Sequence, residues 1–230
     1  MSHLCTGMGI FRRIFGQHGQ SAGDLGYFGL GTWWLSAFSS AERQHLETAF
    51  AAGGARSLTK GQKPSTFPTA AALLVTLASQ LSEKPEDRHL AARVLSKAEE
   101  RALAENDLIG LHFVYQETIR LQYKWREAFP DALNLAFAAC HKQMQYATEA
   151  AEALHEAFPG RPLPAHFGFQ RSASILEQRK AYEQALEICR RAKKQGWAGN
   201  WTWRMQRIQK KIRERGYPVV SMSSSGISLV

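Results

Sequence analysis

No apolar run in this chain reaches the ~18 residues that a membrane-spanning helix needs. The nearest, AALLVTLASQL at 71–81, stops well short. The opening MSHLCTGMGIFRRIFGQHG carries neither the long apolar centre nor the small-residue cleavage site of a signal peptide, so none is expected. Cysteine is scarce: Cys5, Cys140 and Cys189 are scattered and odd in number. That argues against a disulfide framework and sets the expectation of a reducing, cytoplasmic setting. The patterns GxSxG, HExxH, CxxC and the phosphate-binding P-loop are all missing, which removes the common hydrolase, metalloprotease and nucleotide-binding readings. GDLGYFGLGTWW at 23–34 is rich in glycine, but Gly26, Gly29 and Gly31 do not fall in GxGxxG order and no strand precedes them. Aromatic residues packed this densely are expected to seal the end of a core. No segment alternates apolar and polar as a strand must, so the predicted class is all-α.

What is present begins with size and charge. Across 230 residues, 44% are hydrophobic, enough to bury a sizeable core. The net charge of +9 is lopsided: residues 161–216 hold 14 Lys/Arg against 4 Asp/Glu, whereas 1–160 come to −1. An anionic partner would be drawn to the C-terminal part. Met8–Gly16, MGIFRRIFG, is a short basic and apolar piece that reads either as a frayed, loosely packed start or as a contact for a membrane surface or another protein.

Residues 1–38 read as an irregular N-terminal segment, and 39–216 as a single helical domain ending in a basic capping helix. The tail 217–230, SMSSSGISLV at its end, reads as disordered. Within the domain, Ser39-x-x-Glu42 is a capping box opening a helix to about Ala51. A loop follows at 52–68. Thr66–Ser82 is apolar nearly all round and is predicted to be buried. Pro85, Glu86 and Asp87 open a helix to about Asn106. Asp107–Glu127 follows, then one long helix from Pro130 to about Ala157. FPGRPLPA at 158–165 breaks the chain, and helices are expected at 165–179, 181–195 and 201–215, with Pro164 starting the first of these.

The chain repeats itself. HFVYQ at 112–116 and HFGFQ at 166–170 share His-Phe-x-aromatic-Gln, and each leads to aromatic-x-x-Ala-Leu at Phe129/Ala132/Leu133 and Tyr182/Ala185/Leu186. A second alanine lies seven residues after the first in each copy, at Ala139 and Ala192. Alanines seven apart share one helix face and let two helices approach closely. A hairpin of this kind cannot bury its apolar face alone, so neighbouring hairpins are expected to stack.

AYEQALEICRRAKKQGW at 181–197 resembles the second helix of a tetratricopeptide repeat, with Tyr182, Ala185 and Ala192 in the aromatic and small positions. Phe169, Ala173 and Leu176 fall where the first helix of that repeat places large, small and large residues. The unit at 112–139 matches in part: its copy spacing of 54 residues exceeds the ~34 of that family, and Arg120 stands at a small-residue position. The resemblance implies a superhelix of stacked antiparallel helical hairpins and an adaptor or scaffold that binds a protein or peptide in a groove, without catalysis. On that reading His112, Tyr115, Gln116, His166, Phe169 and Gln170 are the groove candidates.

Two other readings stand beside it. Trp201 and Trp203 beside Arg204, Arg207, Lys210 and Lys211 could stack bases and neutralise phosphates, which suits a nucleic-acid binder. The same residues suit a helix whose tryptophans plug the last hairpin and whose outer face is basic. An enzyme would need at least two of His112, His141 and His166 in an open cleft with a carboxylate. Neither repeated histidine has a second ligand at i+3 or i+4, so no metal or cofactor is expected. Cys140 and His141 are adjacent on one helix and point about 100° apart, a poor nucleophile–base pair.

Overall fold

The structure, a computed structural model, describes residues 23–54, 57–60 and 65–216; Met8–Gly16 and the tail 217–230 lie outside the described residues. The chain divides into two compact units, Met1–Thr66 and Phe67–Val230. Described residues form helices throughout, with one isolated bridge, Ala165 to Ala198, in place of any strand. None of these helices is long and apolar enough to cross a membrane.

In the first unit, residues 23–38 are not irregular as their glycine content suggested. They form α1 (Gly23–Tyr27) and α2 (Gly31–Ala37). The apolar residues between the glycines decide this: Leu25, Leu30 and Trp34 are buried, and Trp33 and Trp34 both pack on Phe38 at 5.3 Å between ring centroids. Gly23 stands at φ +76, where a Cβ would lie 2.6 Å from the Leu58 carbonyl oxygen, so only glycine fits this start. α3 (Ser40–Ala52) opens with the predicted capping box. Ser39 Oγ accepts from the Glu42 N–H at 3.3 Å, and Glu42 Oε2 accepts from the Ser39 N–H at 2.7 Å. Further along α3, Glu47 accepts from Ser57, the Leu58 N–H and Thr59, tying the following loop to the helix.

The second unit holds α4 (Ala70–Leu81), α5 (Arg88–Ala104), α6 (Leu108–Lys124), α7 (Ala132–Gln145), α8 (Ala147–Ala157), α9 (Phe167–Gln178), α10 (Tyr182–Lys194) and α11 (Trp201–Gly216). Thr69 caps α4 by accepting from the Ala72 N–H at 3.2 Å, so this helix begins later than Thr66. Its Leu73, Leu74, Leu77 and Leu81 are all fully buried. At about 1.5–3 kcal/mol for each buried leucine, α4 is a principal source of core stability. Asp107 caps α6 by accepting from the Gly110 N–H at 2.7 Å.

Helices adjacent in sequence pack in pairs: α4 with α5, α6 with α7, α9 with α10, and α11 on α10. The first helix of a pair also touches both helices of the pair before it: α6 meets α4 and α5, and α9 meets α6 and α7. Polar links brace these seams. Arg88 donates to Gln122 Oε1 at 2.9 and 2.6 Å and pairs with Asp131 at 3.1 Å. The exposed Arg120 donates twice to the buried carboxylate of Glu117 at 2.8 Å, which accounts for an arginine where a small residue was expected.

Two expectations are corrected. The long helix at 130–157 is broken at Tyr146 into α7 and α8. Near the break, Arg191 of α10 donates to the Met144 carbonyl at 2.8 Å, and Tyr146 stacks over Tyr115 at 6.2 Å. Both are tertiary contacts that compete with a continuous helix. α8 packs on α6 and, with the loop 158–165, supplies the extra length between the two repeat copies. The second correction concerns the start of α9, which is set by His166 rather than Pro164. Pro164 lies in extended chain, where its carbonyl accepts from the Ala198 N–H at 3.2 Å.

Candidate functional site

The two histidines of the repeat meet in the core. Their rings lie 5.2 Å apart, and both rest on Trp197: His112 stacked parallel at 4.9 Å and 4°, His166 edge-on at 4.6 Å. His112 is 1% exposed and His166 0%. They reach this point differently. His112 sits one turn inside α6, whereas His166 precedes α9 and its Nδ1 accepts from the Phe169 N–H at 3.3 Å. An accepting Nδ1 places the proton of the neutral ring on Nε2.

Among the described residues, His112 Nδ1 and Nε2 and His166 Nε2 have no hydrogen-bond partner. Burial therefore acts alone on the charged form of His112 and is the largest influence on that of His166. It lowers the His112 pKa to about 4 and the His166 pKa to about 3, the latter helped by repulsion from His112. Both rings are neutral at physiological pH and closed to solvent.

Around them, Gln143 of α7 bridges the two copies: its Nε2 donates to the His112 carbonyl at 2.8 Å and its Oε1 accepts from the Gly168 N–H at 2.7 Å. Gly168 is one of two positions where the motif copies differ, the first having Val114. A Cβ there would lie 2.9 Å from the Cys140 carbonyl oxygen and 3.0 Å from Gln143 Oε1, so glycine is what lets α9 approach α7. Cys140 is buried, and desolvation pushes its thiol up to about 11, while the neighbouring His141 lies exposed against Phe137. The two do not pair, and a thiol of that pKa is not a ready nucleophile.

The groove candidates consequently fall into two groups. His112, Tyr115, His166 and Phe169 are all buried, at 3% exposure or less, and cannot line an open groove together. Gln116 and Gln170 are half-buried. Tyr115 does border a cavity of about 250 Å³ between α5, α6 and α7, where its hydroxyl donates to Glu99 at 3.0 Å and Lys142 pairs with Glu99 at 2.7 Å. Desolvation, then the Glu99 charge, holds its phenol well above the ordinary range. No group of three or more His, Cys, Asp or Glu is placed to hold a metal ion among the described residues.

An apolar groove of about 510 Å³ escaped sequence reasoning. The start of α4 (Ala72, Val75), the start of α6 (Ile109, Phe113) and the end of α8 (Ala157, Phe158) form its walls. Phe113 and Phe158 continue into a second hollow of about 200 Å³ against Leu163 and Pro164. Phe113 is 36% exposed and Phe158 46%. The only signal available in sequence was Phe113 itself, next to the buried His112 and hence off the core stripe.

The basic candidates also divide. Trp201 is buried and donates to the Trp197 carbonyl at 2.7 Å, so it plugs the last hairpin and cannot touch a ligand. Trp203 is 59% exposed. Arg204, Arg207 and Lys211 converge on the buried Glu177 of α9, at 3.5, 2.6 and 3.5 Å, while Lys210 faces solvent near Glu214 at 3.7 Å. Comparison with protein-family models, with curated proteins and with solved structures gives no match to this chain.

Proposed function

We propose that this protein is a non-catalytic adaptor or scaffold that holds a partner peptide in the apolar groove between α4, α6 and α8. The observation that carries the reading is the groove itself, with two partly exposed phenylalanines on one continuous apolar surface. Its size falls in the range of ligand-binding clefts, roughly 300–1,000 Å³. Partly exposed aromatics on a rigid helical frame are the usual anchors of such interfaces.

The packing order supports a tetratricopeptide-like arrangement of hairpins α4/α5, α6/α7 and α9/α10 closed by α11. Each new hairpin begins with a helix touching both helices of the one before. α8 is then an insertion that supplies one wall of the groove. It turns Glu149, Glu152 and Glu156 outward, which favours a partner whose apolar anchors are followed by basic residues. The burial and low pKa of both repeated histidines support a role without general acid–base chemistry near neutral pH.

Selection from a displayed library of random peptides tests this. Binders should carry bulky apolar residues, and Phe113→Ser or Phe158→Ser should weaken them about tenfold or more, the loss expected of an interface anchor. The melting temperature should stay close to that of the parent. Binders that ignore both substitutions, or a library that yields none, would remove the groove as the binding site.

A further inference from the structure

The exposed face of α11 is a strongly cationic surface that carries an exposed aromatic ring, Trp203, and it does not depend on the groove reading. Trp203, Arg207, Lys210 and Glu214 fall at i, i+4, i+7 and i+11, so they line one stripe of the helix. Arg207 lies over the Trp203 ring at 4.7 Å from its centroid and is itself fixed by two hydrogen bonds to Glu177, at 2.7 and 2.6 Å. The guanidinium thus steadies the indole, while the ring keeps 59% of the residue's surface open.

Beside this stripe, Ser174, Glu177, Gln178, Arg207 and Lys211 line a cleft of about 300 Å³ between α9 and α11. Three cations meet there on one carboxylate, leaving two positive charges in excess. Arg204 is pinned inward by Ser174 Oγ at 2.9 Å and the Gln170 carbonyl at 3.3 Å, so the outward charge comes from Arg207 and Lys211. Lys210 and Arg213 extend it along the exposed side of the helix. Glu214 is the one carboxylate on the stripe, and as a solvent-exposed partner at 3.7 Å it offsets little of the Lys210 charge.

We propose that this surface binds single-stranded nucleic acid, with an unpaired base stacked on Trp203 and the adjoining phosphates held by Arg207, Lys210, Lys211 and Arg213. The argument is chemical complementarity: the segment 161–216 carries net +10, and its open ring offers what an unstacked base needs. A paired duplex has no free base face to give that ring. An acidic protein surface or an anionic membrane would use the charges but not the indole.

Fluorescence polarisation of the full chain with a labelled strand of ~15 nucleotides, across about 50 to 200 mM salt, tests the proposal. Affinity should fall steeply with salt. Trp203→Ala should weaken binding about tenfold, and Trp203→Phe much less, because a stacked base needs a ring rather than an indole N–H. The double variant K210A/R213A should reduce the log–log salt slope by about 1.4, two phosphate contacts at ~0.7 each. These side chains are exposed, so circular dichroism should report an unchanged fold. Absence of binding at low salt overturns the proposal. So does a Trp203→Ala protein that binds like the parent, or tighter binding to duplex, to heparin or to anionic vesicles than to the single strand.

Discussion

HFVYQ and HFGFQ are nearly the same five residues in two places, yet they do different work. In the first copy His112 lies a turn inside α6, capped upstream by Asp107; in the second, His166 is itself the cap of α9. What the copies share is a destination, since both rings end on Trp197. Two side chains separate them, Tyr115 against Phe169 and Val114 against Gly168, and the second difference allows α9 to settle on α7. Similar sequence here reflects a common packing partner more than a common position in a helix.

That comparison can be broken at its shared support first. Trp197→Ala should cost about 3–5 kcal/mol, the range for removing a large buried aromatic, and a denaturant midpoint will show it. Acid should act next. Both histidines have folded pKa values, about 4 and about 3, below the ~6.5 of an unfolded chain. The unfolded state therefore binds more protons between those limits, and stability falls as pH drops from about 6.5 towards 4. The slope approaches about 1.4 kcal/mol per pH unit for each ring. His112→Phe should flatten that dependence by about half, and an unchanged slope would show that other groups set it.

Making the copies more alike is the sharper test. Gly168→Val writes the first copy's residue into the second and forces a Cβ against the Cys140 backbone carbonyl. A loss of about 1–3 kcal/mol is expected from overpacking, visible as a lowered melting temperature. Gln143→Leu removes the bridge and leaves the Gly168 N–H in the first turn of α9 unpaired, for a loss of about 1–3 kcal/mol. Equal stability of Gly168→Val and the parent would mean that the close approach of α7 and α9 is not the feature that distinguishes the copies.

Much of the helical framework could be read from local chemistry. The Ser39–Glu42 capping box, the all-round apolar α4 and the breaker at 158–165 are local signals, and each is present, though α4 starts at Ala70 rather than Thr66. The break at Tyr146 was not legible, because no glycine or proline marks it. Arg191 on a distant helix reaches the Met144 carbonyl there, and a contact across 47 residues leaves no trace in helical periodicity. The same limit applies to the sites. The two histidines could be read as matching positions of a repeat, but their meeting with each other and with Trp197 depends on tertiary structure. The basic residues of α11 were visible as a group, whereas their division between Glu177 and solvent was not, since Glu177 lies 30 residues before Arg207. Trp201 and Trp203 look alike in sequence; the helix turns one inward and the other out.

The most direct test of the account is a pH titration of the His112 and His166 imidazole resonances by nuclear magnetic resonance, assigned with single substitutions. Two neutral rings buried on Trp197 should show no titration between pH 5 and 8. A midpoint near 6.5 for either buried ring would place it in contact with solvent and return the repeated histidines to the list of catalytic candidates.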